Sequence, residues 1–334
     1  MNLVINVNKK TIGVVAPSFG ATITPYKERL EVAIKNFKEL GYNVILGKNV
    51  KLSKGLASSN TKEERAKEIM EMWDKADIIM SSGGGEVMCE VLEGLDFNYF
   101  KNNPKLFIGF SDNTNLTYTL TTISGIESIY GPNFPSFYTL PLEYDLHDTL
   151  RMINNEKEFI GYNRYEYGID TKDPLPKYNL NCKTNIINHN FKNDVSGYIL
   201  GGCLDVLVGL CGTRFDNTVN YIESLDDGVI FYMEACDLTS VGVIRALFQL
   251  KNANWFKNVK CFLIGRSNNL LDESFGVKIS DAYIYSLGEL NIPMLINIDL
   301  GHISPSIPML NGRHAKVSYI NNTLKITYDE KKKI

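Results

Sequence analysis

The chain has 334 residues, of which 44% are hydrophobic and 22% charged, and its formal net charge is −3. This composition excludes a largely disordered chain, and the near-neutral charge argues against nucleic acid or an anionic membrane as a partner. No apolar run approaches the ~18 residues of a membrane span, and the N-terminus lacks the pattern of a signal peptide, so we expect a cytoplasmic protein. A chain of this length is expected to form two domains.

Neither a disulfide framework nor a metal centre is expected. The six cysteines are scattered without a C-x-x-C pair, and none of the four histidines has the spacing of a metal-binding pair. Scattered cysteines are typical of buried free thiols in a reducing compartment. The sequence therefore predicts no metal and no cofactor.

The first 130 residues alternate between strand and helix patterns. Strands are predicted over Thr11–Ala16, Asn43–Leu46, Asp77–Met80, Leu106–Phe110 and Ile126–Tyr130. Four helices are predicted. The first covers Tyr26–Leu40, and the second begins at a capping box formed by Thr61 and Glu64. The third follows the strand Asp77–Met80 and ends near Val91, and the fourth begins at Asn113. This alternation predicts an α/β domain with a mostly parallel sheet covered by helices on both faces.

Three loops of this domain are predicted to meet at one edge of the sheet, beyond the carboxyl ends of the strands, where ligands bind in such folds. They carry Ser18, the glycine run Gly83–Gly85, and Ser111. Three consecutive glycines after a strand let the backbone approach a ligand closely, although the run also fits an ordinary loop. The coincidence of the three loops indicates a binding or catalytic site.

Ser111 lies where a buried strand passes directly into a helix. A sharp turn there lifts the hydroxyl clear of the sheet and places backbone N–H groups at a helix start, which suits a nucleophile beside an oxyanion. The sequence only partly matches the G-x-S-x-G elbow, because Gly109 occupies the first glycine position and Asn113 the second. Alternatively, Ser111 or Asp112 simply caps the following helix.

The regular pattern fails between Gly131 and Val195, where prolines are frequent. Tyr162, Tyr165 and Tyr167 alternate with polar residues there, as in an edge strand with one apolar face or in rings that stack on a substrate. We therefore predict an N-terminal domain over residues 1–145, a linker or lid over 146–195, and a C-terminal domain over 196–334.

The C-terminal domain again shows strand and helix patterns. Strands are predicted over Gly197–Leu200, Gly228–Met233, Lys260–Ile264 and Pro293–Ile298, and helices over Leu204–Leu210 and from a capping region at Asp237–Ser240 through Leu250. Gly201–Gly202 is predicted to be a turn. Two further pairs, Asn311–Gly312 and Asn321–Asn322, predict hairpin turns.

Glu234 and His302 follow two of these strands. A carboxylate at the end of an apolar strand is costly unless it is paired, and a capping or ion-paired glutamate would also fit. A single histidine in a loop is commonly a surface residue. Together with Ser111, however, the two residues compose a Ser–Glu–His set of nucleophile, carboxylate and base. The chain order resembles that of α/β-hydrolases, but the incomplete elbow and the change of domain argue against that fold.

The sequence resembles the serine peptidase family of the LD-carboxypeptidases and the microcin C self-immunity proteins. The matching segments run in collinear order through nearly the whole chain: Gly13–Ser18, Gly83–Glu86, Gly109–Asp112, Gly201–Leu204, Leu210–Thr213, Glu234 and Gly301–Pro305. The resemblance implies a flavodoxin-like or class I glutamine amidotransferase-like αβα domain and a smaller, β-rich, swivelling β/β/α-like domain. It also implies a cytoplasmic homodimer with the active site between the domains.

The same resemblance implies roles for individual residues. Ser111 would be the nucleophile, His302 the general base and Glu234 the carboxylate that orients the histidine. Backbone N–H groups of Gly85 and Asp112 would form the oxyanion hole. The residues expected to contact substrate are Ser18, Gly84, Glu86 and Tyr165.

Two positions depart from the family pattern. Cys203 stands where the family usually has Asn in a Gly-Gly-Asn turn, and Ile303–Ser304 replaces the usual Thr-Asp or Thr-Asn pair after the histidine. Neither position belongs to the expected Ser–Glu–His set. Both are therefore expected to affect substrate binding rather than the triad.

The family contains two kinds of activity. Its LD-carboxypeptidases remove D-alanine from murein tetrapeptides, whereas the immunity-type proteins cut the amide that joins a peptide or aminoacyl group to a nucleotide-like group. The Gly131–Phe137 stretch and the long segment after it resemble the immunity-type branch, which is the expectation adopted here. That branch stacks the adenine on an aromatic side chain of this segment. Because Trp73 and Trp255 lie elsewhere in the sequence, Tyr165 is the candidate.

Two other functions stay open at the level of sequence. One is the murein carboxypeptidase of cell-wall recycling. The other is a non-catalytic protein whose glycine loops hold a small anionic ligand and whose Ser111 only caps a helix.

Overall fold

The computed structural model describes residues 10–168, 172–271 and 273–330. The strands are β1 (Thr11–Val15), β2 (Asn43–Leu46), β3 (Ile78–Ser81), β4 (Leu106–Gly109), β5 (Ser128–Tyr130), β6 (Glu158–Ile160), β7 (Arg164–Tyr165), β8 (Cys182–Lys183), β9 (Ile187–His189), β10 (Val195–Cys203), β11 (Val229–Glu234), β12 (Val259–Gly265), β13 (Met294–Ile298), β14 (Met309–Asn311), β15 (His314–Ile320) and β16 (Thr323–Tyr328). The α-helices are α1 (Tyr26–Glu39), α2 (Lys62–Lys75), α3 (Phe97–Asn102), α4 (Thr114–Thr122), α5 (Tyr144–Ile153), α6 (Leu204–Leu210), α7 (Thr218–Ser224), α8 (Ser240–Asn252) and α9 (Ile279–Leu287).

The first sheet has six strands in the order β14-β5-β4-β3-β1-β2. Strands β1 to β5 are parallel, and β14 adds an antiparallel edge. Successive residues of β1 face opposite sides of the sheet. Val14 belongs to the same buried cluster as Phe37 of α1, and Val15 to the same cluster as Trp73 of α2. This confirms the predicted parallel sheet with helices on both faces.

Local capping signals in the sequence match the observed helix ends. The Thr61 hydroxyl accepts a hydrogen bond from the backbone N–H of Glu64 at 3.4 Å, as the capping box predicts. The Thr239 hydroxyl accepts from the N–H of Gly242 at 3.2 Å and starts α8. After the glycine run, however, the helical segment is a 3₁₀ helix over Met88–Gly94 rather than the expected α-helix.

The second sheet has eight strands in the order β6-β16-β15-β10-β11-β12-β13-β9. Its centre, β10 to β13, is parallel, and antiparallel strands flank it on both sides. Strands β6 and β9, from the stretch predicted to be a linker, pair at the two edges of this sheet. The segment after α5 therefore contributes two edge strands to the second sheet.

The predicted turn at Gly201–Gly202 is wrong, because both glycines continue β10. Their lack of a side chain permits close contact instead of chain reversal. A Cβ at Gly201 would lie 1.8 Å from the carbonyl oxygen of Tyr232, and one at Gly202 would lie 2.4 Å from Thr114 Cγ2. The backbone of β10 thus packs directly against the start of α4, which joins the two sheets next to Ser111.

The predicted hairpin at Asn311–Gly312 is also wrong. Strand β14, before it, pairs with β5 of the first sheet, whereas β15, after it, pairs with β10 of the second. The turn at Gly312, whose φ is 82°, carries the chain from one sheet to the other. The hairpin at Asn321–Asn322 is confirmed, since β15 and β16 pair antiparallel around two residues with positive φ.

The six cysteines are free thiols in the structure. Cys203, Cys211 and Cys261 are buried, Cys182 and Cys236 are half-buried, and Cys89 is exposed, so the expectation of burial holds for only part of the set. Within the described residues, no helix combines the length and apolar character needed to cross a membrane.

Candidate active site

Ser111 lies in a strained turn between β4 and α4. Its φ is 62°, a left-handed conformation that costs a residue with a side chain roughly 1–3 kcal/mol and is typical of functional sites. A Cβ at Gly109 would lie 2.6 Å from Asn113 Cβ, so only glycine fits the first position of the elbow. Ser111 is half-buried, and its hydroxyl is held above the end of β4 as the strand-to-helix pattern predicts.

Glu234 ends β11 and its side chain is 0% exposed. Its two carboxylate oxygens have different partners. Oε1 accepts a hydrogen bond of 2.6 Å from the Tyr130 hydroxyl, and Oε2 lies 2.9 Å from Nδ1 of His302. The buried carboxylate is therefore fully paired, which offsets the cost of removing it from water.

His302 lies in the loop after β13, between Glu234 and Ser111. Its Nε2 is 2.9 Å from Ser111 Oγ. Since a carboxylate only accepts hydrogen bonds, Nδ1 carries a proton toward Glu234, and Nε2 of the neutral ring can accept one from the serine. The ring of Phe110 packs on the imidazole with centroids 4.4 Å apart and fixes its plane.

The environment of His302 favours its charged form. Burial by itself lowers the pKa of the imidazole, but the charge of Glu234 and hydrogen bonds with the Cys236 thiol and Glu234 outweigh it. The net effect raises the pKa of His302 well above 6.5. The ring is thus a strong proton acceptor once it is neutral.

Tyr130 is a part of the site that the sequence analysis missed. It ends β5, is fully buried, and donates to Glu234, while its oxygen accepts from the backbone N–H of Ser111 at 3.4 Å. Burial, reinforced by the charge of Glu234, raises the pKa of the phenol well above 10, so the hydroxyl keeps its proton. The sequence around Tyr130 indicates only a buried strand. Its hydrogen bond with Glu234 joins residues that are 104 positions apart, so no local pattern contains it.

The glycine run lies directly beside Ser111. The side-chain amide of Asn113 donates to the carbonyl of Gly83 at 2.9 Å, and a Cβ at Gly84 would be 3.4 Å from Ser111 Oγ. Gly85 has φ of 146°, and a Cβ there would be 2.2 Å from the hydroxyl oxygen of Ser18. These contacts leave little room for a side chain at Gly84 and none at Gly85; the oxyanion-hole roles of Gly85 and Asp112 stay predictions.

Ser18 and Asp112 are held together rather than facing open space. The fully buried Ser18 hydroxyl donates to Asp112 Oδ2 at 2.6 Å, and the same oxygen accepts from the N–H of Met88 at 3.0 Å. Asn115 donates to Oδ1 at 2.9 Å. Burial raises the pKa of Asp112, and these hydrogen bonds oppose that rise. Ser18 therefore supports the turn after Ser111, and its contact with substrate stays a prediction.

Glu86 and Tyr165 occupy different surroundings. Glu86 is exposed, and partial burial together with the charges of Asp112, Asp237 and Asp205 raises its pKa. The Tyr165 ring is half-buried and covers the guanidinium of Arg266 at 4.4 Å, so one face of the ring already has a cation as its partner.

Arg266 links the segment that carries Tyr165 to the loop that carries His302. It is 1% exposed, pairs with Asp299 at 2.5 Å, and donates to the carbonyl of Pro305 at 3.4 Å. Asp299 in turn accepts from the N–H of Tyr162 at 2.6 Å. This buried ion pair connects the 162–165 region with the His302 loop.

The two positions that depart from the family pattern both lie near Glu234 or His302. Cys203 pairs in register with Glu234 across β10 and β11, and its N–H donates to Thr114 Oγ1 at 3.0 Å. Burial raises the pKa of its thiol well above 9. Ile303 is buried, and the carbonyl of Ser304 accepts from the N–H of Glu166 at 2.8 Å. Among the described residues no cluster of His, Cys, Asp or Glu could hold a metal ion.

Comparison with known proteins relates this geometry to a family. The microcin C7 self-immunity protein MccF of Escherichia coli is 27% identical to this chain. The alignment covers 95% of this chain and 93% of MccF. The probable murein peptide carboxypeptidase of Bacillus subtilis is 25% identical over 95% of this chain and 91% of its own. The solved structure of MccF in complex with aspartyl sulfamoyl adenosine has a TM-score of 0.82 at 24% identity and covers 97% of both chains, which establishes the fold.

A solved muramoyltetrapeptide carboxypeptidase from Oxalobacter formigenes has a TM-score of 0.73 at 22% identity, over 96% of this chain and 99% of its own. Two family models match the chain itself. The LD-carboxypeptidase N-terminal domain matches residues 12–131, and the LD-carboxypeptidase C-terminal domain matches residues 196–317. The first range contains Ser111 and the second contains Glu234 and His302. The chain therefore belongs to the LD-carboxypeptidase family and is an enzyme of the peptidase type.

Proposed function

We propose that this protein is a serine hydrolase that cleaves the amide bond of a peptidyl- or aminoacyl-nucleotide, with Ser111, His302 and Glu234 as its catalytic triad. The observation that carries the proposal is the continuous hydrogen-bonded chain from Ser111 Oγ to His302 and on to Glu234, with both distances 2.9 Å. This is the order of nucleophile, base and orienting carboxylate that acyl transfer requires.

The geometry supports a two-step reaction. Ser111 Oγ attacks the amide carbonyl carbon while Nε2 of His302 takes its proton, and the resulting oxyanion is held by backbone N–H groups of Gly85 and Asp112. His302 then returns the proton to the leaving nitrogen, which breaks the amide bond and leaves an ester on Ser111. Water, deprotonated by His302, hydrolyses that ester and releases the acid.

Glu234 determines how strongly His302 binds the transferred proton. Because its charge stabilises the imidazolium, the free enzyme is active only where His302 has lost its proton, and activity should rise with pH above 6.5. Tyr130 holds the other oxygen of Glu234 and keeps the carboxylate aligned with Nδ1. Tyr130 thus acts as a positioning residue in the proposed mechanism.

The choice of substrate rests on the relatives. MccF aligns over 95% of this chain, and solved structures of MccF hold aspartyl sulfamoyl adenosine and glutamyl sulfamoyl guanosine. An acyl group joined through nitrogen to a nucleoside-bearing group is therefore our proposed substrate class. The alternative, removal of D-alanine from a murein tetrapeptide, is supported by a similar alignment with the Bacillus subtilis enzyme.

Turnover on two substrates tests the proposal. Aminoacyl sulfamoyl adenosine and a murein L,D-tetrapeptide are each incubated with wild type, with Ser111→Ala, and with Ser286→Ala as a control. Ser286 is buried, and its hydroxyl has no hydrogen-bond partner among the described residues. We expect cleavage of the adenosine compound by wild type and the control, and a fall in kcat of several orders of magnitude in Ser111→Ala.

Other outcomes identify the alternatives. Release of D-alanine alone would indicate a cell-wall recycling carboxypeptidase. Equal inactivity of wild type and Ser111→Ala on both compounds would overturn the proposed substrate class and its alternative, and would leave the role of Ser111 without support. Cytoplasmic localisation and a homodimer stay predictions of the sequence resemblance.

A further inference from the structure

The carboxylate of Asp112, the residue after Ser111, joins three separate segments that follow strands of the first sheet. It is 3% exposed. Its Oδ2 accepts a hydrogen bond from the Ser18 hydroxyl at 2.6 Å and another from the N–H of Met88 at 3.0 Å, and its Oδ1 accepts from the side-chain amide of Asn115 at 2.9 Å. Ser18 belongs to the loop after β1, Met88 follows the glycine run after β3, and Asn115 is in the first turn of α4. One buried carboxylate thus connects the chain after β1, β3 and β4.

Arg65 holds two of these segments at neighbouring positions. Its guanidinium is 1% exposed and donates from Nη1 to the carbonyl of Pro17 at 3.0 Å and to the carbonyl of Val87 at 3.1 Å. Pro17 directly precedes Ser18, and Val87 directly precedes Met88. Each segment is therefore bound at adjacent residues by a guanidinium and by a carboxylate. Hydrogen bonds with a charged partner are stronger than those between neutral groups, so the two segments are firmly held.

Gly85 lies between the two residues that bind Asp112 Oδ2. A Cβ at Gly85 would be 2.2 Å from Ser18 Oγ and 3.1 Å from Ser18 Cβ, so this glycine packs directly on the serine side chain. Three residues further along the chain, the N–H of Met88 donates to the same oxygen of Asp112. The position of the Gly85 backbone relative to Asp112 is therefore set through Ser18 on one side and through Met88 on the other.

We propose that the side chain of Asp112 is a positioning group that aligns the two halves of the oxyanion hole, with the Ser18 hydroxyl as its partner. This inference rests on the proposed function, in which backbone N–H groups of Gly85 and Asp112 hold the oxyanion, and it adds what fixes the distance between them. The two N–H groups belong to loops after different strands. Both stabilise the oxyanion only when each lies within hydrogen-bonding distance of the place that this oxygen occupies.

The charge of Asp112 predicts an effect opposite to that of its hydrogen bonds. A negative charge near a developing oxyanion raises the energy of the transition state, so a role through charge alone predicts that Asp112→Asn speeds the reaction. Positioning predicts a slower reaction. The amide nitrogen of an asparagine donates hydrogen bonds, so it would face a donor at whichever carboxylate oxygen it replaced. The sign of the change in kcat therefore separates the two roles.

The test compares wild type with Ser18→Ala, Asp112→Asn, the double variant and the control Ser124→Ala. Ser124 is 3% exposed, and its hydroxyl donates to a backbone carbonyl at 2.9 Å beyond the far end of α4. We measure kcat and KM on aminoacyl sulfamoyl adenosine and the inhibition constants of two ligands. One is the α-aminoboronic acid with the same side chain, whose boron accepts an electron pair from Ser111 Oγ while His302 takes the proton, which gives a tetrahedral adduct. The other is the product amino acid, whose carboxylate stays planar.

We expect Ser18→Ala to lower kcat and to weaken the boronic acid by the same factor, while KM and the inhibition constant of the amino acid stay unchanged. The factor should be about tenfold, because misalignment costs less than the roughly 10²–10³-fold loss on removing an oxyanion donor outright. Asp112→Asn should lower kcat further. The double variant should fall no lower than Asp112→Asn, since the serine acts through the carboxylate. Ser124→Ala should leave all four constants unchanged.

Three results would overturn this inference and leave the proposed function intact. They are an unchanged kcat in Ser18→Ala, a higher kcat in Asp112→Asn, and an equal weakening of the boronic acid and the amino acid, which would assign the two side chains to substrate binding. Ser18→Ala keeps Asp112 in place, so it decides the question even if Asp112→Asn does not fold. Failure of wild type to cleave the adenosine compound would instead overturn the proposed function, and this inference with it.

Discussion

Removing the Tyr130 hydroxyl tests whether the carboxylate of the triad needs a second anchor. In Tyr130→Phe the ring keeps its volume, but Oε1 of Glu234 loses a 2.6 Å hydrogen bond and the N–H of Ser111 loses its 3.4 Å acceptor. Both losses occur in a buried site, where water does not readily replace the missing partner. The change is therefore confined to hydrogen bonding.

The magnitude follows from the charge of the partner. A hydrogen bond to a charged group contributes about 1.5–3 kcal/mol, so we expect Tyr130→Phe to lower the free energy of unfolding by that amount. A carboxylate free to rotate also orients His302 less well, and a loss of about 1.4 kcal/mol in the transition state lowers kcat roughly tenfold. Without the phenol, more of the Glu234 charge acts on the imidazole, so the pKa of His302 rises further.

The assay measures kcat/KM across pH together with urea denaturation. The control is Tyr283→Phe, which removes a buried hydroxyl without a hydrogen-bond partner in the described part of the chain. We expect a shift of the acidic limb to higher pH in Tyr130→Phe and none in the control. An unchanged limb and unchanged kcat, even with a loss of stability, would refute the positioning role and leave Tyr130 as a packing residue.

Three further changes have expected outcomes. Glu234→Gln removes the charge that raises the pKa of His302, so the acidic limb of kcat/KM should move to lower pH while kcat falls by up to roughly 10⁴-fold. Gly85→Ala places a Cβ 2.2 Å from the hydroxyl oxygen of Ser18 and should lower kcat roughly 10²-fold or more. Gly83→Ala is the control, because its Cβ would have its nearest neighbouring atom at 3.8 Å, and this variant should keep most activity. Burial raises the pKa of Asp145 to about 6. Between about pH 4 and 6 the folded protein therefore binds more protons than the unfolded chain, and its free energy of unfolding falls as the pH rises. Urea denaturation should therefore show Asp145→Asn gaining up to about 3 kcal/mol relative to wild type between about pH 4 and 7; a constant difference would contradict the raised pKa.

Local patterns predicted the elements of the N-terminal sheet well. The capping box at Thr61 and the 3.6-residue apolar spacing of α1 depend on neighbours within one or two helical turns, so the sequence contains them completely. The placement of Ser111 after β4 likewise follows from a strand that passes directly into a helix. The left-handed φ of Ser111 is consistent with the elbow interpretation.

The two wrong turns show where local patterns fail. Gly201–Gly202 has the composition of a turn, yet both residues are glycine because Tyr232 and Thr114 approach the backbone of β10. Asn311–Gly312 has the composition of a hairpin turn, but the strands on either side pair with different sheets. In both cases the deciding contact comes from a distant part of the chain, which a local pattern does not record.

The positions that depart from the family pattern are the places to look for altered substrate choice. Cys203 lies opposite Glu234 in the sheet register, and Ile303 follows His302 directly and is buried. Neither takes part in the hydrogen bonds between the three triad residues. Their side chains therefore change the surroundings of the site while the Ser–His–Glu chain keeps its geometry.

By itself the sequence determined the αβα pattern, the candidate residues Ser111, Glu234 and His302, and the family. The first two depend on residue type and short-range spacing, and the family on a resemblance whose segments run in collinear order through nearly the whole chain. The tertiary structure alone decided that these side chains meet at 2.9 Å across 68 and 191 residues, and that Tyr130 bridges two of them. The physical reason is that these hydrogen bonds depend on distances between strand ends, which only the packing of the two sheets establishes.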